Sequence, residues 1–173
     1  MTFDLQPNLR GKLLRLRRLQ ADDYPALFTV ASDRLIWEQH PASDRYQESV
    51  FRKLFDESLA SGGALVAIEN ESDTVIGSSR FHGYDEHASD VEIGWTFLAR
   101  RFWGGVYNGE MKRLMLQHAF RFVDSVVLLI GPTNYRSQRA AEKIGGIREG
   151  VRRDATGLES YVFRITASDF RSR

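Results

Sequence analysis

The stretch Arg100–Leu116, RRFWGGVYNGEMKRLML, joins a strand pattern to a helix pattern. Three glycines and three large aromatic residues fall within positions 102–109, and a helical pattern of apolar residues follows. The first backbone amides of a helix have no partner within it, and the helix dipole adds about half a positive charge there. Glycines just before the helix let the backbone curl so that several N–H groups converge. We therefore predict that this stretch cradles a phosphate or pyrophosphate.

Composition narrows the class of protein. A chain of 173 residues with 42% hydrophobic and 27% charged residues predicts one globular domain, residues 1–173. The net charge of +1 gives no support for a nucleic-acid or anionic-membrane partner. The absence of cysteine excludes disulfides and thiolate metal sites, and His82 and His87 lack metal-ligand spacing, so we expect no metal. Without an apolar signal segment or a membrane-spanning run, we expect a cytoplasmic protein.

The periodicity of apolar residues predicts the order β-α-α-β-β-β-α-β-α-β-β. We expect an α/β fold with a mixed, mostly antiparallel sheet of about seven strands flanked by four helices. In detail, Ser43 or Asp44 should cap the second helix, which Gly62 should end. One face of a single strand should carry Val91, Ile93, Trp95 and Phe97. The predicted strands cover 12–19, 64–84, 89–98, 125–131 and 147–166, and the predicted helices cover 21–32, 43–63, 108–123 and 132–146.

Three phosphate-binding loops are candidates for the glycine stretch. Gly104–Gly109 satisfies G-x-x-x-x-G, but Glu110 and Met111 follow where a nucleoside triphosphate site requires Lys and Ser or Thr. The dinucleotide pattern G-x-G-x-x-G is absent. The remaining match is R-x-x-G-x-[G/A], with Val106 in the last position. This loop resembles the acetyl-CoA loop of the GNAT N-acetyltransferase superfamily.

Further segments carry the same resemblance, from about Leu14 to Val162. TNYRSQRAAEKIGG resembles the family segment N-x-x-S-x-x-x-x-x-K-x-G, and LRLRRLQADDYPALF, VIGSSRF and VEIGW resemble its other elements. The likeness is greatest to the branch of ribosomal-protein N-terminal acetyltransferases. It implies direct transfer of an acetyl group from acetyl-CoA to a primary amine, of a protein N-terminus or a small molecule. A non-catalytic CoA-binding regulatory module is the alternative, and the resemblance leaves a homodimer open.

The resemblance also implies where the cofactor lies. The strands VEIGWTF and VVLLI should separate, so that the pantetheine arm pairs with exposed backbone of residues 95–98. The implied cofactor-binding residues are Phe97, Leu98, Arg101, Trp103, Gly104, Gly105, Val106, Tyr107, Asn108, Asn134 and Arg139. For Asn134 a plain helix N-cap is the equal alternative, and for Tyr107 the core is favoured.

Two residues are candidates for the proton transfers. An amine must lose a proton before it attacks, and Glu92 stands beside Gly94 on the roomier face of its strand. Ser137, in the first turn of the later helix, is the candidate acid for the leaving thiol. The alternatives are a surface glutamate and a serine that only supports the helix cap.

The acceptor should be bound by the segment between the first two helices. LIWEQHP, residues 35–41, lies in such a connection, and loops often carry ligand contacts. We expect Trp37 and His40 to contact the acceptor, with simple packing equally open for Trp37. An acidic rim containing Glu38, Asp44 and Glu92 would favour a cationic acceptor.

Overall fold

A computed structural model describes residues 2–173 and contains one eight-stranded mixed sheet. The strand order is β1-β2-β3-β4-β5-β6-β8-β7, and only β5 and β6 are parallel neighbours. The strands are β1 Leu9–Arg10, β2 Leu14–Arg18, β3 Ala64–Glu69, β4 Val75–Asp85, β5 Asp90–Leu98, β6 Ser125–Ile130, β7 Ile147–Arg153 and β8 Glu159–Thr166. The α-helices are α1 Tyr24–Ala31, α2 Glu48–Ser61, α3 Val106–Ala119, α4 Tyr135–Lys143 and α5 Ala167–Arg171.

This architecture confirms the predicted α/β class and the mostly antiparallel sheet. The described residues form eight strands and five α-helices, one more of each than expected. The additional elements are β1, of two residues, and α5, of five residues. Neither is long enough to produce a periodic pattern of apolar residues.

Helices and apolar clusters cover both faces of the central strands. On one face α3 contributes Met111 and Met115 to a core cluster with strand residues such as Leu65. On the other face α1 and α2 contribute residues such as Phe51 to a second cluster with Val66. Neighbouring residues of β3 therefore enter opposite clusters, as the alternation of a strand requires.

A β-bulge changes the faces of β5. Between the pairs Arg80↔Gly94 and Ser78↔Phe97, β5 contains one more residue than β4, and Trp95 has a φ of 52°. Val91 and Ile93 accordingly join the α3-side cluster, whereas Phe97 joins the cluster under α1 and α2. The prediction that these residues share one face is wrong, because an extra residue reverses the alternation.

The ends of the helices agree with the sequence in part. Asn134 caps α4 by accepting a hydrogen bond from the Ser137 N–H, and α2 is followed by Gly62 in the left-handed conformation. The prediction that Ser43 or Asp44 caps α2 is wrong. The helix begins only at Glu48, because residues 43–46 form turns before it.

Glu110 ties α3 to the first strands. Its buried carboxylate accepts hydrogen bonds from the backbone N–H groups of Lys12, Leu13 and Leu14 at 2.9, 2.7 and 3.0 Å. These contacts give a structural reason for a carboxylate directly after the glycines.

We expect Glu110→Gln to lower the free energy of unfolding by about 3 kcal/mol, because an amide nitrogen would then face buried N–H donors. Urea unfolding measures the change, with Glu142→Gln on the exposed side of α4 as the matched control. An unchanged urea midpoint for Glu110→Gln would show that the three hydrogen bonds add no stability.

Candidate active site

The functional cleft begins where β5 and β6 separate. The two strands pair at Asp90↔Ser125, Val91↔Val126 and Glu92↔Val127, and beyond these pairs they are not bonded. The gap opens into a cleft of about 490 Å³ between β5, β6, α4, the start of α3 and residues 36–45. This geometry confirms the predicted separation of the strand pair.

The glycine loop, residues 101–108, forms one end of the cleft. Gly104 and Gly105 have φ values of 101° and 127°, which side chains rarely adopt. A Cβ atom at either position would meet no atom within 4 Å, so the space in front of the backbone is open. Gly105 precedes α3 without a side-chain cap, which leaves the first amides of the helix available to an anion.

Val106 stands where the family pattern has Gly or Ala, and it lies on the protein surface. Its side chain is 69% exposed at the first position of α3. The side chain is therefore not part of the core and faces solvent.

The structure brings most of the predicted cofactor residues to the cleft. Those that line it are Phe97, Leu98, Trp103, Gly104, Gly105, Asn108, Asn134 and Arg139. Three predicted residues are not among those that line the cleft, so their part in cofactor binding stays a prediction. Val106 and Arg101 are exposed, and the Tyr107 ring packs on Phe102 at 4.7 Å.

Tyr107 is occupied by a structural contact. Its hydroxyl donates a hydrogen bond to Glu69 at 2.8 Å. Hydrogen bonds from Ser72 and Tyr107 lower the pKa of Glu69. The core interpretation of the Tyr107 side chain therefore fits, and only its backbone amide remains near the loop.

Glu92 lies at the last pair before the strands separate. Its Oε1 atom is 3.0 Å from the position that a Cβ on Gly94 would take, so Gly94 leaves room for the carboxylate. Gly94 lines the cleft, and Glu92, two residues before it on β5, is not among the lining residues. Burial raises the pKa of Glu92, and the positive charges of Arg152 and Arg80 oppose the rise.

Ser137 lies on the opposite wall of the cleft. It is half-buried in the first turn of α4, and its backbone N–H is bound by the Asn134 side chain at 3.4 Å. The Ser137 hydroxyl makes no hydrogen bond to any residue in the range 2–173. It is therefore available to a ligand.

Trp37 and His40 both line the cleft. They lie in residues 35–41, the predicted acceptor contact, and we name residues 34–47 around them the acceptor segment. Trp37 is buried, donates from Nε1 to the Ala31 carbonyl at 2.8 Å and packs on Phe97 at 5.2 Å. Trp37 therefore packs in the core and also lines the cleft, so its position is compatible with both alternatives that the sequence left open.

Residues 14–147 match the family described as Acetyltransferase (GNAT) domain. The chain belongs to this family. The GNAT protein is therefore an acyltransferase enzyme, which disfavours the non-catalytic alternative. The sequence is 24% identical over 169 residues to the uncharacterized N-acetyltransferase p20 of Bacillus licheniformis, covering 91% of this chain and 94% of that protein.

Solved structures share the GNAT fold. Mycobacterium smegmatis RimJ in complex with CoA-disulfide superposes with a TM-score of 0.69 at 16% identity, covering 95% of this chain and 88% of that one. A Vibrio cholerae protein, whose proposed activity is that of a ribosomal-protein-serine acetyltransferase, gives 0.71 at 18% identity, covering 96% and 99%. At these identities the likeness is one of fold.

Residues 2–173 of the GNAT protein contain neither a membrane-spanning helix nor a metal-binding group of side chains. None of their helices has the length and apolar character needed to cross a membrane. Their His, Asp and Glu side chains form no group of three or more that could hold a metal ion.

Lys112 is a cleft residue that the sequence interpretation missed. Asn108, Gly109 and Lys112 share one face of α3 and line the cleft, and the Lys112 ammonium donates to the Thr96 hydroxyl. Burial lowers the pKa of Lys112 to about 7. It forms no ion pair with the residues of the range 2–173. The sequence did contain a signal for this position. Lys112 lies four residues before Leu116, and this spacing places the lysine on a buried face of the helix.

We expect Lys112→Met to stabilise the GNAT protein most at and below pH 7. The unfolded lysine keeps its proton up to about pH 10.4, whereas the folded one loses it above about pH 7. The unfolded state therefore binds more protons between these values, so wild-type stability should rise with pH across that window. Urea unfolding at several pH values should show that the variant lacks this rise. An equal slope in both proteins would contradict the assigned pKa.

Proposed function

We propose that this protein is an acetyl-CoA-dependent N-acetyltransferase that moves an acetyl group directly to a primary amine. Residues 1–173 would form its single N-acetyltransferase domain. The observation that carries the proposal is the end of β5–β6 pairing after Glu92↔Val127, directly beside a loop with two positive-φ glycines. The CoA complex of the M. smegmatis relative supports the choice of cofactor. Cytoplasmic location and a homodimer stay predictions.

The residues of the cleft fit acetyl-CoA. The open space before Gly104 and Gly105, with the free amides of α3, suits a pyrophosphate. The unpaired edge of β5 offers backbone groups for an amide-containing arm, and Asn108, Asn134 and Arg139 supply polar side chains along the way. Acetyl-CoA supplies an acetyl group already activated as a thioester.

The catalytic roles follow from the two walls of the cleft. Glu92 would take the proton from the acceptor amine, directly or through water, because its carboxylate stands over Gly94 beside the gap. The free hydroxyl of Ser137 would donate a proton to the leaving group from α4. Positioning of both substrates between these walls would supply much of the remaining acceleration.

The acceptor is a protein N-terminus or a small amine that enters past Trp37 and His40. The fold likeness to the V. cholerae protein supports the ribosomal-protein branch without selecting among amines. A panel of amines and peptides, with free CoA release as the readout, distinguishes these acceptors.

We expect Gly104→Asp to abolish stabilisation by CoA, because a carboxylate would stand in the space for the pyrophosphate. Wild-type protein should gain about 2.7 kcal/mol at a CoA concentration of 100 times Kd. Gly157→Asp is the matched control, since Gly157 also has a positive φ of 83° and open space around it, in a distant turn.

Thermal shift measures these changes, and Val106→Gly should keep the shift because residue 106 points to solvent. An equal CoA shift for Gly104→Asp and the control would disprove the loop assignment. Stabilisation of the wild type by ATP–Mg but not by CoA would disprove the proposed function.

We expect Glu92→Gln to lower turnover by about 100-fold or more near neutral pH, the usual contribution of a positioned base. The wild-type rate should fall as pH drops through the raised pKa of Glu92, because the protonated carboxyl cannot accept a proton. The variant should lose this acid limb while its CoA thermal shift is kept. Full turnover of Glu92→Gln from pH 6 to 9 would place the base elsewhere.

A further inference from the structure

The imidazole of His40 has a defined tautomer. Its Nδ1 atom accepts a hydrogen bond from the Ala42 backbone N–H at 2.9 Å. A backbone amide only donates, so Nδ1 carries no proton, and the neutral ring must carry its proton on Nε2. Burial and the charges of Arg45 and Arg136 lower the pKa of His40 to about 4, which keeps the ring neutral.

Two donors therefore face each other in the cleft. The Nε2 atom of His40 lies 3.4 Å from Nη1 of Arg45, and neither group can accept a hydrogen bond from the other. Arg45 is half-buried over the Trp37 ring, and residues 2–173 provide no ion-pair partner for it. The arrangement lacks an acceptor and an anionic partner.

A carboxylate would supply both the hydrogen-bond acceptor and the negative charge. One oxygen atom can lie about 2.9 Å from both nitrogens, because their 3.4 Å separation is well below twice that distance. A neutral oxygen would satisfy the two donors but leave the guanidinium charge uncompensated. A carboxylate forms charge-assisted hydrogen bonds with the guanidinium, often through both oxygens.

The acceptor segment is held in place before any ligand binds. Arg136 on α4 donates from its side chain to the Ile36 carbonyl at 2.9 Å and from its backbone N–H to the Gln39 side chain at 3.1 Å. The guanidinium of Arg136 also stacks on Trp103 at 3.8 Å. His40 and Arg45 are thus presented by a segment fastened to both walls of the cleft.

The donor pair lies on the acceptor side. Val91 and Ile93 enter the α3-side cluster, so Glu92 between them faces the side of α1 and α2. Arg45 lies over Trp37, which belongs to the cluster on that same side. Arg80 of β4 interacts electrostatically with both Arg45 and Glu92.

The charges of Glu57 and Asp44 act on Arg45 and oppose the effect of burial, but burial still lowers the pKa of Arg45. Both acids are exposed, and neither forms an ion pair with Arg45 within residues 2–173. Arg45 and Arg136 therefore make this wall of the cleft cationic beside His40, and the acidic rim as a whole stays a prediction.

We propose that His40 and Arg45 form a carboxylate-binding site for the acceptor, so that the substrate is an amine that also carries a carboxylate. This inference rests on the proposed N-acetyltransferase function. The amine would face Glu92 while the carboxylate binds the donor pair. The carboxylate could belong to a free amino acid or to an acidic side chain near a peptide N-terminus.

Matched substrates test the proposal and distinguish the two sources. One arm compares free amino acids with their amides, and the other compares peptides containing Glu with peptides containing Gln in the first two positions. Initial rates of CoA release give kcat/KM, and calorimetry in the presence of CoA gives direct binding of the same compounds. We expect a preference of about 10- to 100-fold for the carboxylate form in at least one arm.

Arg45→Gln should remove that preference, so that the carboxylate and amide forms of a substrate give kcat/KM values within about twofold of each other. Arg45→Lys should restore it only partly, because an ammonium lacks the planar fork. Arg34→Gln is the matched control, since Arg34 lies on the same segment over Tyr46 at 5.7 Å and is exposed. Should Arg45→Gln fail to fold, His40→Phe must show the same loss of preference.

The failures of the two proposals are distinguishable. Equal rates and equal binding for acids and amides in both arms would overturn the carboxylate site while the acetyltransferase function stands. A preference that persists in Arg45→Gln would overturn it as well. If no amine releases CoA and CoA causes no thermal shift, the proposed function itself fails.

Discussion

The loss of pairing between β5 and β6 after Glu92 is the constraint on which the cleft depends. The bulge at Trp95 is placed just beyond the last pair, where it adds twist and bends the strand. The same extra residue turns Phe97 towards α1 and α2, and Trp37 packs on it there at 5.2 Å. One backbone irregularity thus lies where the cleft begins and also turns Phe97 to its contact with Trp37.

Polar groups in this protein separate into those that the fold satisfies and those that it does not. Glu110 accepts three backbone hydrogen bonds, and the Tyr107 hydroxyl is bound by Glu69, so both have structural partners. Lys112 and Arg45 have no ion-pair partner in the range 2–173. Burying unpaired charge lowers stability, so such groups are candidates for function when they line a cleft.

The sequence predicted features that rest on local chemistry. The end of α2 at Gly62, the Asn134 cap and the glycine loop depend on neighbouring residues and were found from them. The bulge was missed because Trp95 adopts a positive φ without the glycine that normally signals it. The Tyr107 side chain is placed by its hydrogen bond to Glu69, which is distant in the sequence. His40 and Arg45 come together through an irregular turn. No periodicity encodes these contacts.

The charge of the acceptor wall and the basicity of Glu92 are linked. Burial raises the pKa of Glu92, the charges of Arg152 and Arg80 limit this rise, and Arg80 also interacts with Arg45. A substrate carboxylate bound at Arg45 would add negative charge to this network. Negative charge nearby raises the pKa of a carboxyl group, which brings Glu92 closer to the value that suits a base near neutral pH. On the proposed assignment, an acceptor with a carboxylate would therefore be selected by the wall and would also strengthen the base that activates its amine.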